Sequence, residues 1–294
     1  MGLRIKTNIA SLNAQRNLGL SNAASQENIA KLSSGYRINK AADDAAGLAI
    51  SESLKSNIRS LDQAKRNAND GVSLVQVAEG SFNEVSNILV RLRELATQSA
   101  SDTIGNKERA YTNREYVQLV DEIQRISNTA NFNGIPLLGG AEGLPDETMF
   151  TIHVGAGDGF KPNTDTIRIG VESLKVNVES LGLGNEAEIG PLNPEDPFSR
   201  DTAAAKLGTI DKALDTIASN RSFLGAQQSR LSSTINNLGV QIENLKSANS
   251  RIRDVDFAEE TASFTQNKIL QQAGMSVLAQ ANSAPEQALA LLRN

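Results

Sequence analysis

Side chains able to do chemistry are sparse in this chain, and their spacing brings none of them together. There is one His and no Cys in 294 residues. His153 therefore has no second imidazole and no thiolate with which to share a metal or build a triad, and H-E-x-x-H is absent. It reads as a structural or surface residue in a strand. Gly155-x-Gly157-x-Gly159 falls short of the G-x-G-x-x-G phosphate fingerprint and no helical pattern follows it, so it reads as a turn. The pairs Asp43-Asp44 and Glu259-Glu260 have the groups for cation binding or proton transfer. Neighbours on a helix project about 100° apart, however, and converge poorly. Asp43 is better placed to cap the helix that follows it. No catalytic, cofactor or metal site is expected, and the chain reads as a non-enzyme.

Positioning rather than reactivity is what the rest of the sequence encodes. Leu207, Ile210, Leu214, Ile217, Arg221, Leu224, Gln228, Leu231, Ile235, Leu238, Ile242, Leu245, Asn249 and Ile252 alternate steps of three and four without a slip. That is a coiled-coil seam. It predicts a helix over 203–252, roughly 70 Å long at 1.5 Å per residue, which needs an equally long partner. Arg221, Gln228 and Asn249 interrupt the stripe; partial exposure and register setting both account for them. A second stripe runs through Leu54, Ile58, Leu61, Lys65, Ala68, Val72 and Val75, slips near Gly80, and resumes at Phe82, Val85, Leu89, Leu92 and Ala96. It predicts a helix from about 44 to 100, and a shorter one follows over 107–129.

Six of the seven prolines fall between Pro136 and Pro197, so the centre is broken where both flanks are helical. Met149–Val154 and Thr166–Ile169 read as a hairpin, and Leu174–Val178 as a third short strand. Aromatics make up only 4% of the chain, so the core must rest on aliphatic residues and Ala. No apolar run approaches the ~20 residues that cross a bilayer, and no membrane partner is expected.

The two ends form a class of their own. Ile5, Ile9, Leu12, Leu18, Ile29 and Leu32 dot the first, and Ile269, Leu270, Val277, Leu278, Leu289, Leu291 and Leu292 the last, among Ala, Ser, Asn and Gln. Neither stripe is apolar enough to hold a lone helix in water. Both arms are therefore expected to lack structure in the monomer and to order against other copies. Arg4, Lys6, Arg16, Lys31, Arg37 and Lys40 make the first arm basic, while Asp254, Asp256, Glu259, Glu260 and Glu286 make the last acidic. With Tyr36 as its only aromatic, the basic arm carries no nucleic-acid motif, and pairing of the ends explains both signs.

Several blocks resemble bacterial flagellin: Ile5–Gln15, Leu32–Asn39, Ala41–Ile50, Arg91–Ala96, Phe132-Asn133-Gly134, Arg251–Glu260 and Leu291-Leu292-Arg293. They occupy both helical thirds in the family's order. The resemblance implies a mainly α fold: a long antiparallel helical bundle with a small central β-hairpin region. It places 1–42 and 254–294 in an inner domain lining a filament channel. It places 43–135 and 200–253 in an elongated helical domain, and leaves 136–199 as a short hairpin and loop region without a large outer domain.

The same resemblance implies a structural subunit that polymerises into the flagellar filament used for motility, with a hook–filament junction protein as the alternative. It further implies an extracellular location reached without a cleaved signal peptide. The implied partners are other flagellin subunits, the flagellar export apparatus and its export chaperone, filament cap and hook-junction proteins, and the host Toll-like receptor 5. The polymerisation arms would be carried by Ile5, Ile9, Leu12, Leu32, Leu270, Val277, Leu278, Leu289 and Leu292. Arg91, Leu95 and Glu115, exposed by their helical positions, match the residues this family presents to that receptor and to neighbouring subunits. Val90 stands where the better-known pattern has Gln.

Overall fold

The structure, a computed structural model, describes residues 7–139, 149–157, 164–170, 174–184, 189–191 and 200–292, with the backbone alone for 200 and 284–292. The elements in order are α1 (Ile9–Ser34), α2 (Ala45–Ser99), α3 (Asn106–Thr129), β1 (Asn131–Phe132), β2 (Ile135–Pro136), β3 (Met149–His153), β4 (Thr166–Gly170), α4 (Arg200–Arg253) and α5 (Phe257–Leu292). The mainly α fold with a small hairpin is the one expected. The chain divides into two units, residues 1–58 with 243–294, and residues 59–242.

In the second unit, α2 and α4 run antiparallel: Arg93 on α2 meets Asp211, and Lys65 lies against Gly239. On α4, Ile210, Ile217, Leu224, Leu231 and Leu238 form a fully buried column seven residues apart, while Leu207, Leu214, Arg221, Gln228 and Ile235 flank it half-buried. Each buried Leu or Ile contributes about 1.5–3 kcal/mol. The α2 stripe does not slip at Gly80. Its buried line is Leu61, Ala64, Ala68, Gly71, Val75, Ala78, Phe82, Val85, Leu89, Leu92, Ala96 and Ser99, unbroken in steps of three and four. Lys65 and Val72 lie beside the line, half-buried. Ala and Gly carry little hydropathy but fill a close helix contact, so a reading by hydropathy steps off the seam where they carry it.

α3 closes over this pair through Tyr116, Val120 and Ile123. Its buried Arg109 donates from Nε to the carbonyl of Ser99 (2.9 Å) and from Nη2 to that of Ser101 (2.8 Å). Those are carbonyls at the end of α2 with no helical partner, so Arg109 caps α2 and sets where α3 begins. Asn133 (φ 52°) and Gly134 (φ 79°) form a left-handed turn that joins β1 to β2, as an Asn-Gly pair favours.

β3 and β4 pair antiparallel from Met149↔Gly170 to His153↔Thr166, the expected hairpin. It seats where α2 lacks a side chain: Ile152 Cδ1 occupies the space a Cβ on Gly71 would take, and Leu231 borders it. Side chains at Gly155 and Gly157 would collide with the Asp165 carboxylate, so the glycine spacing serves the hairpin turn. The segment after β4 is not a third strand. Val176 makes a single bond to the Leu138 carbonyl (2.9 Å), and Asn177 and Ser180 then bond each other's backbone N–H and turn the chain.

In the first unit, α1 and α5 pack on each other, antiparallel. The arms are helices here rather than unstructured segments, because each supplies the other with a partner face. Asp44, not Asp43, caps α2, accepting from the Gly47 N–H at 2.9 Å. Asp43 closes the preceding turn by accepting from Asn39 and Lys40 N–H, each at 2.9 Å.

Candidate assembly surfaces

The seam between α1 and α5 keeps the three–four spacing of a coiled coil with the chemistry changed. On α1 the covered positions are Ser11, Ala14, Leu18, Ser21, Ser25, Asn28 and Leu32. On α5 they are Glu260, Phe264, Asn267, Gln271, Gly274, Leu278 and Ala281. Most are small or polar, and amide hydrogen bonds cross the seam: Asn8 Nδ2 donates to the Ala281 carbonyl at 2.8 Å, and Gln271 donates to Asn22.

Apolar side chains instead point outward. Ile9, Leu12, Leu20 and Ile29 are exposed on α1, with Leu20 at 64%. On α5, Phe257, Ile269, Leu270, Met275 and Val277 are exposed, with Ile269 at 60%. Phe257, Ala258, Thr261, Thr265, Ile269 and Leu270 line a shallow, mainly apolar trough. Of the residues expected to carry polymerisation, Ile9, Leu12, Leu270 and Val277 lie on these outer faces, while Leu32 and Leu278 lie on the seam. Ile5 lies outside the described residues, as do the side chains of Leu289 and Leu292.

At the base of the arms, the turns α1–α2 and α4–α5 are tied by backbone: Arg37 N–H donates to the Arg253 carbonyl (2.7 Å) and Val255 N–H to the Gly35 carbonyl (3.1 Å). Arg253 lays its guanidinium over the Tyr36 ring and donates to Glu52 at 2.7 Å. Gly35, at φ 74°, makes the left-handed end of α1 that this crossing needs.

In the second unit, Arg91 forks to Glu115 through Nε (2.9 Å) and Nη2 (2.7 Å), and reaches Glu94 through Nη1 (2.9 Å). Both Arg91 and Glu115 are exposed. Leu95 is not with them: it is 2% exposed and part of the core. It lies next to Ala96 of the buried line, and a helix this deeply packed buries two adjacent columns. The structure thus brings Arg91 and Glu115 together and turns Leu95 away. His153 is held structurally, its Nδ1 3.0 Å from the Asp165 carbonyl and its own carbonyl accepting from Asn67 (3.0 Å).

Comparison with known proteins gives these surfaces a context. Residues 5–142 match the bacterial flagellin N-terminal helical region, and residues 207–292 the bacterial flagellin C-terminal helical region. A flagellin from Halalkalibacterium halodurans is 43% identical over 291 residues, covering 98% of this chain and 99% of that protein. The chain belongs to the bacterial flagellin family. A flagellar filament 33 kDa core protein from Treponema phagedenis is 42% identical over 295 residues, covering 98% of this chain and 99% of that protein. A solved structure from Vibrio parahaemolyticus, assigned as a flagellar hook-associated protein, matches 72% of this chain and 100% of its own with a TM-score of 0.59. At 15% identity that likeness concerns fold alone.

The polar residues that join the two arms of this flagellin carry no hydropathic signal. Ser11, Ser25, Asn28, Asn267 and Gln271 escape a reading by apolar period, and only the repeated three–four spacing of small and amide side chains marks them. Tyr36 and Arg253 lie far apart in sequence, with nothing local to link them.

Proposed function

We propose that this chain is a structural subunit that polymerises into the bacterial flagellar filament. The observation that carries the reading is the pair of outward apolar faces on α1 and α5, whose inner seam is already satisfied by small and amide side chains. Among the described residues this exposed apolar area has no partner, and a second copy offers the same surfaces. The trough on α5 and the row on α1 differ, so one copy's surface meets a different surface of the next. Such contacts repeat without closing and generate a helical polymer. Family membership supports this reading, as does the filament core protein among the relatives.

Within this proposal, 1–42 and 254–294 form the inner, channel-lining part, and 43–135 with 200–253 the outer shaft. The subunit leaves the cell through the flagellar export apparatus, with an export chaperone. It then adds beneath cap proteins onto hook-junction proteins. Arg91 and Glu115 form a surface for a neighbouring subunit and, in the released monomer, for Toll-like receptor 5. Electron microscopy of the purified chain after salt-induced assembly tests the central claim: long filaments are expected. Chains lacking 1–40 or 255–294 should remain soluble, helical monomers; filaments from either truncation overturn the role of the arms.

A further inference from the structure

The long helices α2 and α4 bury Leu, Ile, Val, Phe and Ala in their seam, whereas the arm seam intersperses Ser, Asn, Gln and Gly with Leu18, Leu32, Phe264 and Leu278 at the same spacing. The small and aliphatic positions alone would discriminate poorly among registers, because such contacts resemble one another from one heptad to the next. The amides break that degeneracy. Asn8 bonds the Ala281 carbonyl and Asn22 accepts from Gln271, and an Asn28 amide turned with its oxygen toward α5 accepts from the Phe264 N–H at 3.0 Å. These contacts climb α1 as they descend α5; Asn8 and Asn28 meet backbone groups that recur along α5, so the side-chain pair Asn22–Gln271 is the contact that singles out one register. A slip of one heptad sets Asn22 opposite Phe264 or Leu278 and leaves its amide unpaired in a covered seam, the penalty that discourages misalignment.

We infer that this amide ladder is the register key of the arms: it makes α1 pair with α5 in one alignment and keeps their apolar faces outward. An apolar seam would bind more strongly but select less, since the outer faces of both helices are apolar and would compete for it. Asn22 and its partner Gln271 are therefore the specificity residues of the pairing. That the outward faces serve other copies rests on the proposed function; the register key itself does not.

The absence of Cys makes the alignment directly readable. A Cβ at Gly274 would stand 3.9 Å from the Leu18 Cβ, within the roughly 3.5–4.5 Å a disulfide spans. Leu18→Cys with Gly274→Cys reports the native register. Leu18→Cys with Asn267→Cys, or with Ala281→Cys, reports a slip of one heptad either way. In the full chain under a thiol–disulfide buffer, the 18–274 bridge should exceed both slipped bridges by about fivefold or more, the low end of what an unpaired, half-buried amide supplies. Adding Asn22→Leu and Asn28→Leu should bring the three yields within about threefold of one another.

Equal selectivity in both backgrounds overturns the inference, as does absence of the 18–274 bridge in monomer and assembled protein alike. Should the leucine background lose helicity by circular dichroism, the exchange Asn22→Gln with Gln271→Asn decides. It keeps both amides and should restore the selectivity, and failure to do so overturns the key. A chain that keeps the selectivity yet forms no filament refutes the assembly reading and leaves the register key standing.

Discussion

Arg253 stacks on Tyr36, its guanidinium carbon 4.6 Å from the ring centroid, at the level where both arms leave the long helices. The two residues come from opposite ends of the chain, and the stack sits beside the paired bonds of Arg37 to Arg253 and Val255 to Gly35. A cation over an aromatic face contributes about 0.5–1 kcal/mol at an exposed site.

Replacing Arg253 by Ala should therefore accelerate amide exchange at Arg37 and Val255 while leaving the core amides of α2 and α4 unchanged. Arg253→Lys should restore the charge but little of the protection, because an ammonium lacks the planar fork that stacks and donates together. Exchange followed by mass spectrometry separates the two variants; equal protection in all three proteins refutes the role.

The arm base should also loosen in acid. The Arg253 bond, then Lys55 nearby, holds the Glu52 carboxyl below its ordinary 4.5. Backbone N–H groups of Lys40 and Asn39 hold Asp43 below its ordinary 3.8. A depressed carboxylate contributes stability above its unfolded value and loses it as pH falls through the folded one. Exchange at Asn39 and Lys40 should be alike at pH 7 and pH 5 once corrected for intrinsic rate, and should rise below about pH 4. Asp43→Asn should show the acid behaviour already at neutral pH.

Tyr116 sets the alkaline limit. Burial pushes its hydroxyl up to about 12 from an ordinary 10.0, and its oxygen has no hydrogen-bond partner among the described residues. A raised phenol contributes stability that is complete below pH 10 and lost as pH climbs toward 12, on the order of 2 kcal/mol. Tyr116→Phe should match or exceed the parent in melting temperature at pH 7. It should also lose less stability between pH 9 and pH 11.5; parallel pH profiles for the two proteins contradict this.

Leu95 and Arg91 should separate stability from recognition. Leu95→Ala removes a buried core side chain and should cost about 2–5 kcal/mol. Arg91→Ala breaks an exposed ion pair and should change the melting temperature little. If Arg91 and Glu115 form a receptor surface, Arg91→Ala lowers receptor signalling at full stability, whereas any loss from Leu95→Ala tracks unfolding. Thermal melts beside a reporter-cell assay give both numbers.

What the sequence makes legible depends on the size and chemistry of the residues in each seam. The α4 helix is readable nearly to its ends because Ile210 through Leu238 are Leu or Ile at every buried heptad position. The α2 line is blurred at Ala64, Gly71 and Ala78, where a close helix contact needs small side chains and a hydropathic pattern needs large ones. The arms mislead more fully: Ile9, Leu12 and Ile269 draw the eye to the outer face, while Ser25, Asn28 and Gln271 make the contact within the chain. Leu95 follows the same logic, since a helical position beside a seam is covered once neighbours pack from two sides.

In the proposed assembly, the outward apolar faces of α1 (Ile9, Leu12) and α5 (Ile269, Leu270) set how growth depends on subunit supply. In that assembly, burying those faces requires a neighbour, so the free energy is released per added copy and is offset by the loss of that copy's translational freedom. The balance defines a critical concentration. Below it these surfaces stay wet and the chains remain apart; above it each further molecule joins a polymer end, and the free pool stops rising.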